Sequence, residues 1–181
     1  MITQKIYTEK RIITSTRGTS VINIKGLHKS FGKKNDVLKG VNLQVEKGEN
    51  LVVLGKSGSG KSITIKCLVG LVSADKGNIK VFDTDIATLV SKQLNELRLR
   101  IGFLFQNSAL YDSMSVRKNL EFPLRRHSKQ LSSNEVEELI IETLESVGLA
   151  EAIDKMPSEL SGGMRKRIGL ARTLILKPEI I

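Results

Sequence analysis

The sequence predicts an α/β fold with a mixed sheet core, an N-terminal antiparallel β subdomain and a helical subdomain. One observation is the continuous apolar run at residues 51–54, which a glycine-rich loop and an apolar helical segment follow at once. A second is that short apolar runs separated by turn residues precede this run, whereas helical periodicity dominates from about residue 106 to 160. Strand, loop and helix in this order are typical of α/β folds.

Residues 1–19 lack a sustained apolar period and end in turn residues, which predicts a flexible N-terminal extension before a domain at 20–181. Val21, Ile22 and Ile24 predict a first strand. Residues 37–45 predict further short strands, with turns at residues such as Gly32 and Gly40. These segments form the predicted antiparallel subdomain.

Residues 51–54 are apolar throughout, which predicts a strand buried on both faces. Residues 62–71 predict a buried helix that ends near Gly70. A short strand at 79–82 follows, and then a helix spaced by leucines precedes a return to strand character at 101–105.

The helical subdomain, about 106–160, contains a capping box that starts a helix at Ser132, and Gly148 ends that helix. A last helix is predicted from Ser161 through Leu176, because Lys177 and proline follow it. Residues 179–181 have the character of a strand that is just beginning, so we expect the domain to be incomplete at its C-terminus.

The amino-acid composition excludes several classes of protein. The 181 residues are 40% hydrophobic and 27% charged, which is typical of a globular domain. One cysteine, Cys67, excludes an internal disulfide and favours a reducing cytosol, and no apolar stretch approaches the length of a membrane span. The net charge of +10 suggests nucleic acid, but the basic residues are scattered and only 4% of residues are aromatic. We therefore predict no specific nucleic-acid partner.

Residues 55–62, the phosphate loop, read GKSGSGKS and match the pattern GxxxxGKS between a predicted strand and a helix. Glycines allow backbone N–H groups to surround phosphates, and the helix that follows adds its positive N-terminal dipole. The alternative is a glycine-rich turn that matches by accident. The predicted nucleotide contacts are Gly55, Lys56, Ser57, Gly58, Ser59, Gly60, Lys61, Ser62 and Ile63.

Two of these residues have predicted chemical roles. Lys61 should reach the β- and γ-phosphates, and the Ser62 hydroxyl should coordinate Mg²⁺. The predicted ligands of the loop are therefore a nucleoside triphosphate and Mg²⁺. The loop alone does not separate ATPases from GTPases, kinases or DNA motors.

About a hundred residues later, residues 160–164 read LSGGM and are followed by RKRIGLARTLILKPEII. Together with the phosphate loop, this segment resembles the ABC ATPase family of P-loop NTPases. The resemblance implies that Ser161, Gly162 and Gly163 bind the γ-phosphate of ATP held by a second copy in a head-to-tail homodimer. A helix start with free N–H groups agrees with that role. The simpler alternative is a serine N-cap after a loop.

Two further positions match the family. Phe31, in HKSFGKKNDVLKG, lies where the family carries the aromatic residue that stacks on adenine, although a minor core position is the alternative. Gln106, in IGFLFQNSALYDSMSV, matches the glutamine that contacts Mg²⁺ and the attacking water. The alternative for Gln106 is an exposed loop residue.

Softer motifs are similar to the ATPases of Mla-type lipid transporters: FQNSALYDSMSV at 105–116, FPLRRH at 122–127 and MPSELSGGMRKR at 156–167. Met164 replaces the usual signature glutamine, as it often does in that group. This resemblance implies phospholipid cargo, a membrane permease subunit, an MCE-type substrate-binding protein and a peripheral location on the cytoplasmic face of the inner membrane.

The family also needs a strand that ends in Asp-Glu and a switch histidine, and neither is present before Ile181. His28 is interpreted as a turn or surface residue and His127 as a solvated one. The catalytic residues that the chain supplies are then Lys61 and Gln106. We expect the parent protein to be an ATPase, and this chain to bind nucleotide weakly and hydrolyse little.

Two alternatives of other classes remain at this point. One is a non-transport ABC protein that acts on nucleic acid or ribosomes, which the positive charge favours. The other is a regulatory or remnant subunit that binds nucleotide without hydrolysing it.

Overall fold

The computed structural model describes residues 18–32, 36–105, 108–128 and 130–181. It contains two compact units, Met1–Leu94 and Asn95–Ile181. Of the predicted extension at 1–19, only Gly18 and Thr19 are among the described residues.

The predicted antiparallel β subdomain is present as a four-stranded sheet with the order β2-β1-β3-β4, in which all neighbouring strands are antiparallel. Ile22 and Ile24 of β1 are both buried, as alternation along a strand requires, and Leu27 is buried beyond a register shift that lies between Ile24 and Leu27. The strands are β1 Ser20–Ser30, β2 Asp36–Glu46, β3 Lys76–Val81 and β4 Thr84–Asp85.

The expectation of several short strands across residues 37–45 is wrong, because β2 runs through Gly40 without a turn. Gly40 has a φ of +88°, and the register between β1 and β2 shifts beside it, between Leu27 and His28. An irregularity within one strand therefore replaces the predicted turn. His28 is exposed but lies on β1 rather than in a turn, and His127 is exposed at the end of a helix.

The short strand predicted at 79–82 corresponds to β3, which ends at Val81. Phe82 and Asp83 form the two-residue turn to β4, with φ angles of +48° and +61°. Two consecutive residues with positive φ are typical of a type I′ hairpin turn, which matches the twist of the strands.

The prediction of a strand at residues 51–54 is wrong. These residues form no strand, and the side chains of Val52, Val53 and Leu54 are 49%, 50% and 70% exposed. A strand needs a neighbour to satisfy its N–H and C=O groups, and none of the described residues pairs with this segment.

Residues 101–105 were also predicted to form a strand, but only Ile101 pairs, in one parallel bridge with Ile180. The Gly102 N–H donates to the Ile180 carbonyl at 2.7 Å. The strand character expected at 179–181 is therefore present at this one pairing.

The helices follow their local signals. Ser132 caps α4 in a complete capping box with Glu135, and Gly148, with a φ of +65°, follows its end, as predicted. The first helix is shorter and less buried than predicted, since it ends at Leu68 and Ile65 is 41% exposed. The helices are α1 Lys61–Leu68, α2 Ser91–Leu99, α3 Val116–His127, α4 Ser133–Ser146 and α5 Gly162–Leu174.

The core of the second unit lies where α3, α4 and α5 pack together. Short 3₁₀ turns at Ala150–Ala152 and Pro157–Glu159 connect α4 to α5. Helices α3 and α4 and both 3₁₀ turns lie within the predicted helical subdomain of about 106–160, whose bounds stay a prediction. The largest fully buried aliphatic side chains in the core of the second unit are Val116, Leu120, Leu124, Ile140, Leu144 and Ile168.

Candidate functional site

The phosphate loop connects an irregular segment to α1. Gly58 and Gly60 have φ angles of +79° and +91°, a conformation that glycine adopts without the steric cost that a side chain brings. Gly60 is the N-cap of α1 and supplies no side-chain cap, so the first N–H groups of α1 are left without a capping acceptor. The loop therefore presents backbone donors at the positive end of a helix.

The Lys61 ammonium lies inside this loop. Lys61 Nζ donates to the carbonyl oxygens of Gly55 at 2.7 Å and Lys56 at 2.8 Å, and it is 3.4 Å from Ser59 Oγ. These contacts surround the ammonium with backbone carbonyl oxygens, which repel an anion. A phosphate that binds Lys61 must therefore replace these carbonyl oxygens as the acceptor of its hydrogen bonds. The sequence pattern predicted the role of Lys61, but not these contacts.

The chemistry of these residues fits a phosphate group. A Cβ on Gly58 would meet nothing within 4 Å, so the loop has open space at that point. Ser57, Ser59 and Ser62 are exposed and offer hydroxyl groups beside Lys61. A phosphate requires hydrogen-bond donors and a positive charge, and its metal counter-ion requires oxygen ligands such as hydroxyl groups. The loop offers all three. Ile63, the last of the predicted contacts, is half-buried in the first turn of α1.

Cys67, on the same helix, is fully buried. Burial raises the pKa of the Cys67 thiol, with a smaller opposing effect from the charge of Lys29. The thiol is therefore held in its protonated form, which is a poor nucleophile. Cys67 is part of the packing of α1 rather than of the site.

Phe31 follows the end of β1 and is 44% exposed, which rules out the core position that was its alternative. Lys29 Nζ lies 5.5 Å from the centroid of the Phe31 ring and donates to Asp75 Oδ1 at 2.7 Å. Asp75 also accepts the Ser30 N–H at 2.7 Å. The side-chain hydrogen bond from Lys29, and then the backbone hydrogen bond from Ser30, lower the pKa of Asp75.

Residues 160–164, the signature turn, begin α5. Ser161 is the N-cap, and its Oγ accepts the Met164 N–H at 3.2 Å, so the N-cap alternative is observed as a structural fact. A Cβ on Gly162 would meet nothing within 4 Å, and one on Gly163 would meet only Ser161 Oγ, at 4.0 Å. The first turn carries no acidic residue. Capping by Ser161 and open space at both glycines are therefore present together.

Gln106 lies outside the described residues. Beside it in the sequence, Phe105 is 51% exposed and Ser108 is buried. The prediction for Gln106 stays a prediction.

Asn119 and Arg172 were not among the residues that the sequence analysis singled out. Asn119 is fully buried, and its amide group makes hydrogen bonds to the backbone of Tyr111. An asparagine at an apolar helix position was the available signal. Arg172 donates to the carbonyl oxygen of Ala109, a contact that the sequence does not indicate.

Two absences are specific to the described part of the chain. Within residues 18–32, 36–105, 108–128 and 130–181, no three His, Cys, Asp or Glu side chains are grouped closely enough to hold a metal ion. No helix among those residues has both the length and the apolar character that crossing a bilayer requires.

Comparison with known proteins gives related chains along most of the sequence. The chain is 46% identical over 160 residues to the probable ribonucleotide transport ATP-binding protein mkl of Mycobacterium leprae, covering 88% of this chain and 46% of that protein. It is 39% identical over 163 residues to the intermembrane phospholipid transport system ATP-binding protein MlaF of Haemophilus influenzae, covering 90% of this chain and 61% of that protein. The chain thus spans about half the length of the curated relatives it matches.

The fold is similar to that of solved ATP-binding cassettes. The dimeric post-hydrolysis structure of the cassette MJ0796 bound to ADP and Pi has a TM-score of 0.78 and 28% sequence identity, covering 87% of this chain and 70% of that one. The fold is therefore the mixed α/β P-loop fold with an antiparallel β subdomain. A family model for the ABC transporter matches residues 38–181, which is more than half of the sequence. The chain belongs to the ABC transporter family.

Proposed function

We propose that this chain is the ATP-binding subunit of an ABC transporter, and that it couples ATP binding and hydrolysis to transport in the protein to which it belongs. The observation that carries the proposal is the Lys61 ammonium held within the phosphate loop by the Gly55 and Lys56 carbonyl oxygens, at the start of α1. Family membership supports the same activity. The proposed domain covers residues 20–181, after an extension at 1–19.

The phosphate loop binds the triphosphate through backbone N–H groups and Lys61. On binding, Lys61 exchanges its two carbonyl contacts for phosphate oxygens, because an ammonium forms stronger hydrogen bonds with an anion than with a neutral carbonyl. Phe31 packs its exposed ring on the adenine. Asp75 keeps Lys29 close to that ring through their ion pair.

Ser62 and Gln106 are the proposed protein ligands for Mg²⁺. When bound, the ion offsets phosphate charge. Gln106 has a second proposed role, which is to orient the attacking water.

Ser161, Gly162 and Gly163 bind the γ-phosphate of ATP that a second copy holds. The support is the open space at both glycines and the absence of acidic residues in the first turn of α5. The dimeric cassette with bound ADP and Pi is a related assembly. The two copies thus close head to tail, and closure shifts the attached permease between its states.

We propose phospholipid as the cargo, with a permease subunit and an MCE-type protein as partners. The chain then lies peripherally on the cytoplasmic face of the membrane through its permease. The likeness to MlaF and the three softer motifs support this cargo, whereas the likeness to mkl supports ribonucleotide as the second candidate.

ATP binding can be tested by titrating the chain with mant-ATP in the presence of MgCl₂. Lys61→Ala should weaken binding by about 10- to 100-fold, because it removes a charge-assisted hydrogen bond of roughly 1.5–3 kcal/mol. Lys66→Ala is the matched control, since Lys66 is an exposed lysine in the last turn of the same helix. Equal affinity in the wild type and Lys61→Ala would contradict the proposal.

The cargo can be tested by isolating the tagged protein with its membrane partners in mild detergent and identifying the co-purified small molecules by mass spectrometry. Enrichment of phospholipid above that in a Lys61→Ala complex supports the lipid proposal. Enrichment of ribonucleotide instead supports the second candidate.

A further inference from the structure

The loop at residues 108–115, here called the clamp loop, is fixed to α3 by one buried amide. Asn119 Oδ1 accepts the Tyr111 N–H at 2.8 Å. Asn119 Nδ2 donates to the carbonyl oxygens of Tyr111 at 3.1 Å and Met114 at 2.9 Å. Because Asn119 is fully buried, these contacts are not weakened by competing water, and the clamp loop has a defined backbone position.

The start of the clamp loop rests on the backbone of α5. A Cβ on Gly169 would lie 2.8 Å from Ser108 Cβ and 3.1 Å from the Ser108 carbonyl oxygen, which is closer than a real side chain allows. Ser108 and Ala109 have φ angles of +59° and +48°, so the chain turns sharply at this contact. Gly169 thus permits a close approach of loop and helix.

Arg172 holds the next part of the clamp loop to the same helix. Its Nη1 donates to the Ala109 carbonyl oxygen, and its Cζ lies 4.5 Å from the centroid of the Tyr111 ring. Tyr111 also meets the edge of Phe122, with ring centroids 5.3 Å apart. One half-buried guanidinium therefore makes a hydrogen bond and a cation–π contact with two successive parts of the clamp loop.

The other end of α5 carries the signature turn. The helix is continuous from Gly162 to Leu174, with Ser161 as its N-cap. One uninterrupted helix therefore joins Arg172, near its C-terminal end, to Ser161 at its start.

We propose that Arg172 is a positioning residue that ties the clamp loop to α5 and thereby holds residues 161–163 in the arrangement that binds the γ-phosphate. The inference rests on the proposed function of the signature turn. Arg172 does not itself contact the nucleotide. It acts by holding the clamp loop and α5 in one arrangement, which the anion-binding geometry at the helix start requires.

The test compares Arg172→Met with Arg167→Met. Methionine keeps the aliphatic bulk and removes the guanidinium. Arg167 is a matched control because it lies on the same helix and also donates to backbone, with Nη1 at 2.9 Å from the Val147 carbonyl oxygen and 3.3 Å from that of Gly148. Those acceptors follow α4 and are outside the clamp loop.

Three measurements are made on the full chain: the urea midpoint, the mant-ATP affinity and the association of two copies driven by AMP-PNP with MgCl₂, followed by sedimentation. We expect both variants to lower the urea midpoint and to leave mant-ATP affinity within about twofold, because neither residue is in the phosphate loop. Only Arg172→Met should weaken association, by about tenfold or more, which is the size of a typical coupling between sites. Arg172→Lys should restore part of this loss, because it retains the cation beside Tyr111.

The outcomes separate the two proposals. If the wild type shows no AMP-PNP-dependent association, the proposed function of the signature turn fails and the inference fails with it. If the wild type associates and Arg172→Met loses no more than Arg167→Met, the inference alone is overturned. If Arg172→Met does not fold, Arg172→Lys must still show weakened association with unchanged mant-ATP affinity, and wild-type association in that variant overturns the inference.

Discussion

Gly60 lies directly against Leu38: a Cβ built on Gly60 would be 2.6 Å from Leu38 Cδ2 and 3.1 Å from the Val37 carbonyl oxygen. Gly60 also has a φ of +91°. Gly60→Ala should therefore lower the free energy of unfolding by roughly 2–4 kcal/mol, combining a strained backbone with a clash. Urea unfolding at neutral pH measures this loss.

Gly58→Ala is the comparison for that prediction, because Gly58 has a φ of +79° but open space around its Cα. It should cost only the backbone strain, about 1–2 kcal/mol. The double variant Gly60→Ala/Leu38→Ala should be less destabilised than the sum of its single variants, since the second change removes the clash. Strict additivity would show that Leu38 is not the obstacle.

The Asn119 amide should be the most sensitive polar group of the second unit. Asn119→Ala leaves the Tyr111 N–H and the Met114 carbonyl oxygen without their buried partner, which we expect to cost roughly 2–4 kcal/mol of unfolding free energy. Asn134→Ala, an exposed asparagine in the first turn of α4, should cost less than about 0.5 kcal/mol. Similar losses in both variants would contradict the role assigned to Asn119.

The capping box of α4 should make stability depend on pH. The Ser132 N–H donates to Glu135 Oε2 at 2.7 Å, and this backbone hydrogen bond, followed by the side-chain hydrogen bond with Ser132, lowers the pKa of Glu135. A carboxyl group whose pKa falls on folding stabilises the native state above its unfolded pKa, and that contribution is lost as pH falls through the folded pKa. Urea midpoints measured downward from pH 6 should therefore decline more steeply in the wild type than in Glu135→Gln.

The control for the pH experiment is Glu138→Gln, which removes an exposed carboxylate from the same helix without touching the cap. Its pH slope should stay close to that of the wild type. Ser132→Ala should lower stability by about 1 kcal/mol at neutral pH, the usual value of a lost N-cap.

Substitutions in the turn between β3 and β4 should raise the stability of the protein. Phe82 and Asp83 occupy positive φ angles that Asn-Gly adopts more readily, so the double change Phe82→Asn/Asp83→Gly should raise the free energy of unfolding by about 0.5–1 kcal/mol. Ser73→Gly is a control in which glycine replaces a residue without a positive φ, and it should be neutral or destabilising. Destabilisation by the double change would show that the side chain of Phe82 or Asp83 contributes more than the turn strain costs.

Local signals predicted the start and end of α4 and the start of α5 correctly. The capping box at Ser132, the glycine after α4 and the serine before α5 each act within a few residues, so the sequence specifies them directly. The phosphate loop is equally local, because its glycines and Lys61 lie within residues 55–62. These features do not depend on distant partners.

Features that depend on distant partners were predicted poorly. The apolar run at residues 51–54 indicated a buried strand, but pairing is decided by neighbours far along the chain, and Leu54 is instead 70% exposed. The pairing of Arg172 with Ala109 spans 63 positions, so no window of the sequence reveals it. Asn119 was visible only as a polar residue at helical spacing from apolar Val116 and Phe122.

The burial of Cys67 makes the chain its own chemical reporter. It is the only cysteine in the sequence, so a thiol reagent can modify one position alone. Because Cys67 has no exposed surface and its pKa is raised, modification requires α1 to leave its packed position first. The labelling rate therefore measures how often the helix that carries Lys61 opens, and a nucleotide that binds the phosphate loop would register as a slower reaction without any added probe.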